Sequence, residues 1–196
     1  MNVNGLAVRE FLLSDEADWL RCRAIAFLET SYFDDVVRSK PAYPHGAIEL
    51  VAERDGVLVG LVDVRVVGEL ATIETIAVHP EASRSGVASA LLEETTRRLP
   101  TTVTALDAWT REDAPANSWY LSQGFKERFR YLHVFATDDS EMQRAVRSSR
   151  KGLLPVSGFF HANTEDEEEL RREFRRVHIC RQYVRPSRGP VRRSLG

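Results

Sequence analysis

The sequence contains few of the residues that form disulfides or bind metal ions. Its two cysteines, Cys22 and Cys180, form no disulfide or metal-binding pattern. The five histidines are scattered, without the spacing of a zinc site. Because lone cysteines without a disulfide framework are typical of a reducing compartment, we expect a cytoplasmic protein. We also expect that no metal takes part in its chemistry.

Long apolar runs and a strong charge of one sign are missing as well. No apolar run approaches the roughly 20 residues that span a bilayer, and the chain does not begin with a basic and apolar leader. The formal net charge of −2 argues against general nucleic-acid binding. We therefore expect neither membrane nor nucleic acid as a partner. The 196 residues, 43% of them hydrophobic, suffice for one α/β domain with a real core.

The most informative pattern is a strand, a loop and a helix over residues 72–99. Ile73–Val78 is rich in β-branched residues and ends just before Pro80, which cannot donate to a ladder. From Val87 to Leu99 the apolar residues recur with helical spacing. The small-residue loop between them contains Gly86 and opens the helix. Such a loop leaves backbone N–H groups free for a phosphate or pyrophosphate.

This segment, VHPEASRSGVASALL, resembles the acetyl-CoA-binding segment of the GNAT N-acetyltransferases. The family signature there is Gln/Arg-x-x-Gly-x-Gly/Ala, and Gly86-Val87-Ala88 fits its second half. The first half departs, because Ser83 stands at the Gln/Arg position and the arginine comes one residue later, as Arg84. Backbone amides make most of the contacts in this motif, so the resemblance still implies a pyrophosphate site, with Arg84 as the candidate side chain.

A second segment, residues 114–125, resembles the closing segment of the same family, which ends in Tyr-x-x-x-Gly-Phe. Tyr120 and Gly124-Phe125 stand at that spacing, and one strand, Val103–Trp109, separates the two segments. The resemblance covers about residues 8–135, with a return near Val177. It implies an α/β (α+β) fold with a mixed, mostly antiparallel central sheet. That sheet would splay at the acetyl-CoA site and carry helices on both faces. An Asp-Gly turn between apolar runs also predicts a hairpin near residue 55.

The domain organisation is predicted from the later part of the chain. Val177–Arg185 alternates as a strand, which we expect to pair with Phe129–Phe135. Residues 6–185 then form a single domain, with 137–176 as an excursion between the last two strands. This excursion contains an aromatic loop over Gly158–His161, and whether it acts as a substrate lid or a dimer arm stays open. Residues 186–196 are predicted to be a disordered tail.

The resemblance implies acetyl-CoA as co-substrate. In the family the pantetheine arm fills the gap beside the splayed strand, and the helix N-terminus holds the pyrophosphate. The implied cofactor-binding residues are Ile76, Ala77, Val78, Arg84, Ser85, Gly86, Val87, Ala88, Ser89 and Asn117.

Two residues are candidates for acid–base chemistry. An alkyl ammonium with a pKa near ~10.4 must lose a proton before it can attack a thioester. The resemblance implies Glu74 as this base, directly or through water; the alternative is a cross-strand ion-pair partner. It implies Tyr120 as the acid beside the departing sulfur; the alternative is a packing tyrosine. Asp107 and Trp109 are expected to pack or to line the acceptor cleft.

The sequence therefore predicts an acyltransferase that moves an acetyl group from acetyl-CoA to a primary amine. The acceptor would be a small molecule or a peptide, attacking directly in a ternary complex. The alternative is a non-catalytic CoA-binding sensor or assembly module of the same fold. A site for ATP or NAD is disfavoured, because the loop lacks Gly-Lys-Ser/Thr and Gly-x-Gly-x-x-Gly. Neither the acceptor nor the oligomeric state is fixed; a homodimer is compatible with the sequence.

Overall fold

A computed structural model describes residues 5–146 and 152–187. The strands are β1 (Leu6–Glu10), β2 (Ile48–Arg54), β3 (Val57–Val67), β4 (Leu70–Val78), β5 (Ala105–Thr110), β6 (Lys126–Ala136), β7 (Gly158–Ala162) and β8 (Arg176–Pro186). The α-helices are α1 (Glu16–Leu28), α2 (Val87–Arg98), α3 (Ala114–Ser122), α4 (Asp139–Ala145) and α5 (Glu167–Glu173). Residues 30–39 form no helix and consist of turns, bends and irregular backbone.

All eight strands belong to one sheet in the order β1-β2-β3-β4-β5-β8-β6-β7. Only the β4–β5 pair is parallel, because α2 crosses over between these strands. Trp19 of α1 packs with Leu61 on one face of the sheet. Leu91 of α2 packs with Val62 on the other face. The predicted mixed sheet with helices on both faces is confirmed.

The predicted hairpin is present, and its turn has the expected geometry. β2 and β3 are antiparallel, and only Asp55 and Gly56 separate them. Both turn residues have positive φ, 52° and 77° respectively. That is the type I′ conformation, whose twist matches the right-handed twist of the flanking strands.

Strand β8 returns the chain to the middle of the sheet, between β5 and β6. Its register places Cys180 opposite Tyr131 of β6 and Tyr183 opposite Ala108 of β5. Pro186 is the last residue of the strand, where its missing N–H costs no ladder bond. Ser187 is also held, since its N–H donates to the Thr104 carbonyl at 3.0 Å. The predicted tail therefore does not begin at 186, and residues 188–196 lie outside the described residues.

The segment before β8 differs in part from its prediction. Gly158–His161 is not a loop: it belongs to edge strand β7, which pairs antiparallel with β6. The aromatic residues there alternate between the two faces, so Phe160 packs into a small second core with Met142 of α4 and Leu132 of β6. The segment before β8 consists of a 3-10 turn and α5, which ends at Glu173, and β8 begins at Arg176.

Gly60 of β3 lies directly under α2, and this close approach gives a first prediction. A Cβ at Gly60 would stand 2.6 Å from Cγ1 of Val87 and 3.3 Å from the Ala77 carbonyl oxygen. Gly60→Ala is expected to lower the free energy of unfolding by about 1–3 kcal/mol through overpacking. Urea denaturation measures this change. The double variant Gly60→Ala/Val87→Ala should recover part of the loss, and an unchanged midpoint for the single variant would contradict the close packing.

Candidate functional site

The site lies where β4 and β5 separate. The two strands pair only from Leu70–Ile73 to Ala105–Ala108, although β4 continues to Val78 and β5 to Thr110. A cavity of about 300 Å³ opens at this gap. Its walls come from both strands, from α1 and α3, and from the turn that follows α1. The splayed sheet expected from the sequence is therefore present.

Beyond Ile73, only alternate residues of β4 form backbone hydrogen bonds with the neighbouring strand β3. The His79 N–H donates to the Val59 carbonyl at 2.9 Å, and hydrogen-bonded pairs alternate along an antiparallel ladder. Ala77 therefore exchanges its hydrogen bonds with Leu61 of β3, while Ile76 and Val78 direct their backbone groups toward the gap. Ile76 and Val78 therefore have backbone groups free for a ligand. Ala77, the third strand residue predicted to bind the cofactor, contributes only to the cavity wall.

Glu74 occupies a β-bulge, which the sequence pattern did not reveal. Asp63 pairs with Thr75 and Val64 with Ile73, so Glu74 is the extra residue. The bulge interrupts the alternation of side chains along β4, so period-two spacing does not place Glu74 on the face of Ile76 and Val78. Ile73 and Ile76, three residues apart, accordingly pack in the same core cluster.

The Glu74 side chain takes part in the cross-strand ion pair, and its role as a base stays a prediction. It lines the cavity, and its Oε1 accepts a hydrogen bond from Arg65 Nε at 2.5 Å across the β3–β4 pair. The cross-strand ion pair thus holds the carboxylate at the wall of the cavity. The bulge supplies this position, since extra residues in a ladder re-aim a side chain.

The loop before α2 presents a set of free backbone donors. Arg84 and Gly86 both have positive φ, 58° and 84°, which curls the loop around the helix start. Gly86 is the N-cap and offers no side chain, and the first helical bond runs from the Ala90 N–H to the Gly86 carbonyl. The N–H groups of residues 87–89 are left for a ligand. Ser85 is occupied, since its Oγ donates to the Ala82 carbonyl at 2.6 Å.

Tyr120 closes the opposite wall of the cavity. It is 5% exposed and stacks on Tyr183 with ring centroids 5.4 Å apart, while Phe125 meets its edge at 5.2 Å. Burial raises the pKa of Tyr120 above its usual value of 10. Among the described residues its hydroxyl has no hydrogen-bond partner. The group therefore stays protonated and is available as a donor inside the cavity.

Asn117 is placed differently from the rest of the predicted set. It does not belong to the cavity wall, and its Nδ2 donates to the Asp113 carbonyl at 2.7 Å. Its Oδ1 is buried without a partner in the described part of the chain. Its contact with a cofactor stays a prediction. In the structure it braces the first turn of α3, which Asp113 caps through the Ala116 N–H.

An ion pair at the cavity, between the buried Arg23 and the partly exposed Asp35, was not predicted from the sequence. Arg23 of α1 is 6% exposed, lies over the Phe27 ring at 4.6 Å, and donates to Asp35 Oδ2 at 2.8 Å. Both Arg23 and Asp35 line the cavity. An arginine among the apolar positions of α1 was the available signal. The cavity therefore contains carboxylates from Glu74 and Asp35, each with an arginine beside it.

The turn that contains Asp35 is clamped to the sheet. The Tyr32 hydroxyl accepts from the Arg111 N–H at 2.6 Å, and Arg111 Nη1 donates to the Ser31 carbonyl at 2.7 Å. Arg176 contacts both Asp34 oxygens, at 2.7 and 2.8 Å, and these bonds lower the pKa of Asp34 to about 2. Tyr32 also lines the cavity.

Two features are absent from the described residues 5–146 and 152–187, a metal-binding cluster and a membrane-spanning helix. No three of their His, Cys, Asp or Glu side chains are grouped so that they could hold a metal ion. None of their helices is long and apolar enough to cross a membrane.

A splayed parallel pair beside a helix that begins in a glycine loop is the arrangement that the sequence resemblance to the GNAT N-acetyltransferases implies. Residues 45–127 match the model of the acetyltransferase (GNAT) domain. Over these 83 of its 196 residues the chain is similar to the GNAT family of acetyltransferases. No curated protein matches it.

Solved structures share the fold at low sequence identity. The ribosomal-protein-S18-alanine N-acetyltransferase of Escherichia coli superposes with a TM-score of 0.60 at 18% identity, covering 95% of this chain and 97% of that one. Nourseothricin acetyltransferase superposes with a TM-score of 0.55 at 19% identity, covering 94% of this chain and 99% of that one. The PaiA N-acetyltransferase of Thermoplasma acidophilum, in complex with coenzyme A, superposes with a TM-score of 0.53 at 13% identity. The match covers 63% of this chain and 91% of that one. At these identities the similarity concerns the fold.

Proposed function

We propose that the protein transfers an acetyl group from acetyl-CoA to a primary amine of a small molecule or peptide. The observation that carries this proposal is one cavity that joins three features. These are the free backbone of β4, the unpartnered hydroxyl of Tyr120 and the carboxylate of Glu74. Tyr120 and Glu74 come from different elements and lie on different walls, as an acid and a base acting on one thioester require.

Acetyl-CoA would bind along the gap between β4 and β5. Its pantetheine arm would take the place of a strand beside Ile76 and Val78, whose backbone groups point there. Its pyrophosphate would accept from the N–H groups of residues 87–89, where the helix dipole favours negative charge. Arg84, exposed in the same loop, would add a cation. A backbone donor of β4 would also polarise the thioester carbonyl.

The reaction would be a direct attack within a ternary complex. Glu74, or a water held by it, takes the proton of the attacking ammonium, and the amine nitrogen forms the bond to the acetyl carbon. The C–S bond breaks, Tyr120 gives a proton to the departing sulfur, and the second proton that the new amide nitrogen must lose returns to Tyr120. A thiolate in this apolar pocket would otherwise be poorly solvated, so a donor at this position stabilises the charge as it develops.

The alternative is a non-catalytic CoA-binding sensor or assembly module. The coincidence of Glu74 and Tyr120 on one cavity favours the enzyme, because a binding module needs neither group. Release of free CoA thiol in the presence of candidate amines separates the two hypotheses. We further propose that residues 6–185 act as one cytoplasmic domain, with Cys22 and Cys180 as buried free thiols.

The cofactor site is tested with Gly86→Glu. Gly86 has open space beside its Cα and φ of +84°, so the new carboxylate would project into the pyrophosphate site and repel it. With ligand at a hundredfold its Kd, acetyl-CoA should stabilise the parent protein by about 2.7 kcal/mol, on the order of 5–10 °C in Tm. We expect Gly86→Glu to abolish this shift, as measured by differential scanning fluorimetry.

Gly68→Glu is the matched control for this test. Gly68 also has positive φ, +59°, and open space, but it lies in the turn between β3 and β4, away from the cavity. It should lose stability from backbone strain and keep the full acetyl-CoA shift. If Gly86→Glu keeps the full acetyl-CoA-induced shift in Tm, the pyrophosphate does not bind at this loop.

A further inference from the structure

A row of rings crosses the open face of the sheet beyond the cavity. We call it the aromatic ribbon. Its members come from β5, β6 and β7: Trp109, Phe129, Tyr131, His133, Phe159 and His161.

The rings of the ribbon form one connected surface. Trp109 meets Tyr131 edge-on at 5.6 Å and Phe129 at 6.2 Å. Tyr131 meets His161 at 4.6 Å, and His161 stacks on His133 at 5.1 Å with an interplanar angle of 6°. These are the separations and offsets that aromatic pairs prefer. The ribbon is therefore a preformed surface.

Much of this surface is uncovered. Trp109 is 40% exposed, Phe129 55% and Phe159 49%. A groove of about 370 Å³ lies along the ribbon, and the residues that line it are Trp109, Phe129, Tyr131, His161, Ala162 and Asn163. A connected exposed apolar patch of this kind marks a binding surface more often than scattered exposed residues do.

The groove is continuous with the candidate active site. Trp109 lines both the groove and the cavity at the β4–β5 gap, so a molecule can lie on one face of its ring and extend into either space. The cavity of about 300 Å³ is at the lower end of the ~300–1,000 Å³ found for small-molecule sites. With an acetyl-pantetheine arm in it, the body of an acceptor has little room there.

We propose that the aromatic ribbon binds an aromatic or other planar apolar group of the acceptor, whose amino group reaches Glu74. The inference rests on the proposed function and adds the chemical class of the acceptor, an amine linked by a short spacer to a ring. This proposal requires a polar end for the amine and an apolar end for the ring, and the cavity and the groove differ in this way. Carboxylates of Glu74 and Asp35 face the cavity, whereas no Asp, Glu, Lys or Arg is among the described residues that line the groove.

His133 adds no positive charge to the ribbon, which supports an uncharged group there. Burial, together with the nearby Arg111 guanidinium, lowers the pKa of His133 to about 4, so its ring is neutral at pH 7. Burial and Arg176 also lower the pKa of His178, which lies beside this face near Phe135. A phosphate or carboxylate would find no cationic imidazole at these positions, whereas ring stacking needs none.

The test compares two primary amines, 2-phenylethylamine and n-butylamine, as acceptors, with kcat/KM expressed per neutral amine because the phenyl ring makes the first amine the weaker base. We expect kcat/KM for the aromatic amine to be higher on the order of 10-fold, from burial of the ring. Phe129→Ala should reduce this ratio by about 3- to 10-fold through loss of stacking. Phe129 is more than half exposed, so the variant is expected to fold. The control Val57→Ala, an exposed residue at the distant hairpin, should keep the ratio.

A second measurement does not depend on transfer. Calorimetric titration of 2-phenylethylamine into the CoA-bound protein should show binding that is weaker in Phe129→Ala. If acetyl transfer fails but this binding is present, the ribbon stands and the proposed function falls. Equal use of both amines, an unchanged ratio in Phe129→Ala, or no binding of the aromatic amine overturns the ribbon while acetyl-CoA binding stands. Dimerisation through Phe129, detected by sedimentation, also overturns it.

Discussion

Tyr120→Phe is expected to lower the rate of acetyl transfer by about 10²–10⁴-fold, the usual contribution of a positioned acid. The substitution removes only the hydroxyl, which is buried at the cavity and has no hydrogen-bond partner among the described residues. The ring keeps its stacking on Tyr183, so the affinity for acetyl-CoA should be nearly unchanged. Single-turnover measurement of acetyl transfer, with acetyl-CoA affinity from calorimetry, separates the two effects.

Tyr183→Phe is the matched control for Tyr120→Phe. Tyr183 is equally buried and belongs to the same stacked pair, but it is not part of the cavity wall. Loss of its hydroxyl should leave the transfer rate within a few-fold of the parent. If Tyr120→Phe keeps a near-normal single-turnover rate, or if both variants are equally slow, Tyr120 is a packing residue.

Much of the fold could be predicted because its signals are local. The β4–loop–α2 unit rests on β-branched residues, one glycine and a helical apolar repeat, all within one short stretch. The β2–β3 hairpin rests on the turn preference of Asp55-Gly56, whose positive φ values the structure shows. Alternation in residues 177–185 likewise identifies β8. Each of these patterns is decided by neighbours in sequence, where propensity and periodicity act.

The features that the sequence did not predict depend on contacts between segments that are distant in the chain. The bulge at Glu74 is set by the register of β4 against β3, which no pattern within β4 reports. The Arg23–Asp35 pair depends on how the turn after α1 returns over the helix. Strand β7 looked like a loop, because half-exposed rings such as Phe159 alternate only in relation to β6. A single sequence contains no direct signal for such pairings.

The Arg65–Glu74 pair bears on how Glu74 could work as a base. Arg65 holds one carboxylate oxygen, Oε1, while the residue still lines the cavity. The other oxygen is thus available to an ammonium or to a water molecule. Because both partners are substantially exposed, the pair itself is expected to add only about 0–1 kcal/mol to stability. Its contribution is to the orientation of the carboxylate, so a change at Glu74 should affect rate much more than folding.

Glu74→Gln is therefore expected to lower the transfer rate at neutral pH by about 10²–10⁴-fold, with recovery as pH rises. The amide keeps the size of the side chain but cannot take a proton. At neutral pH an acceptor amine with a pKa near ~10.4 is almost entirely ammonium, and its neutral fraction grows about tenfold for each pH unit up to that pKa. The variant should follow this fraction, while the parent should approach a plateau at lower pH. Profiles of kcat/KM for the amine between pH 6.5 and 9.5 measure the difference.

Glu93→Gln, an exposed carboxamide substitution on α2, is the control and should reproduce the parent profile. The acetyl-CoA thermal shift should be retained in Glu74→Gln, because the residue lines the cavity and does not belong to the loop before α2. A rate that is equally low at every pH in Glu74→Gln would contradict proton removal by Glu74. It would leave the residue as the cross-strand partner of Arg65, with deprotonation passing to a solvent path along the open side of the cavity. Parent and variant profiles that coincide would likewise remove Glu74 from the chemistry, so the shape of the pH dependence decides its role.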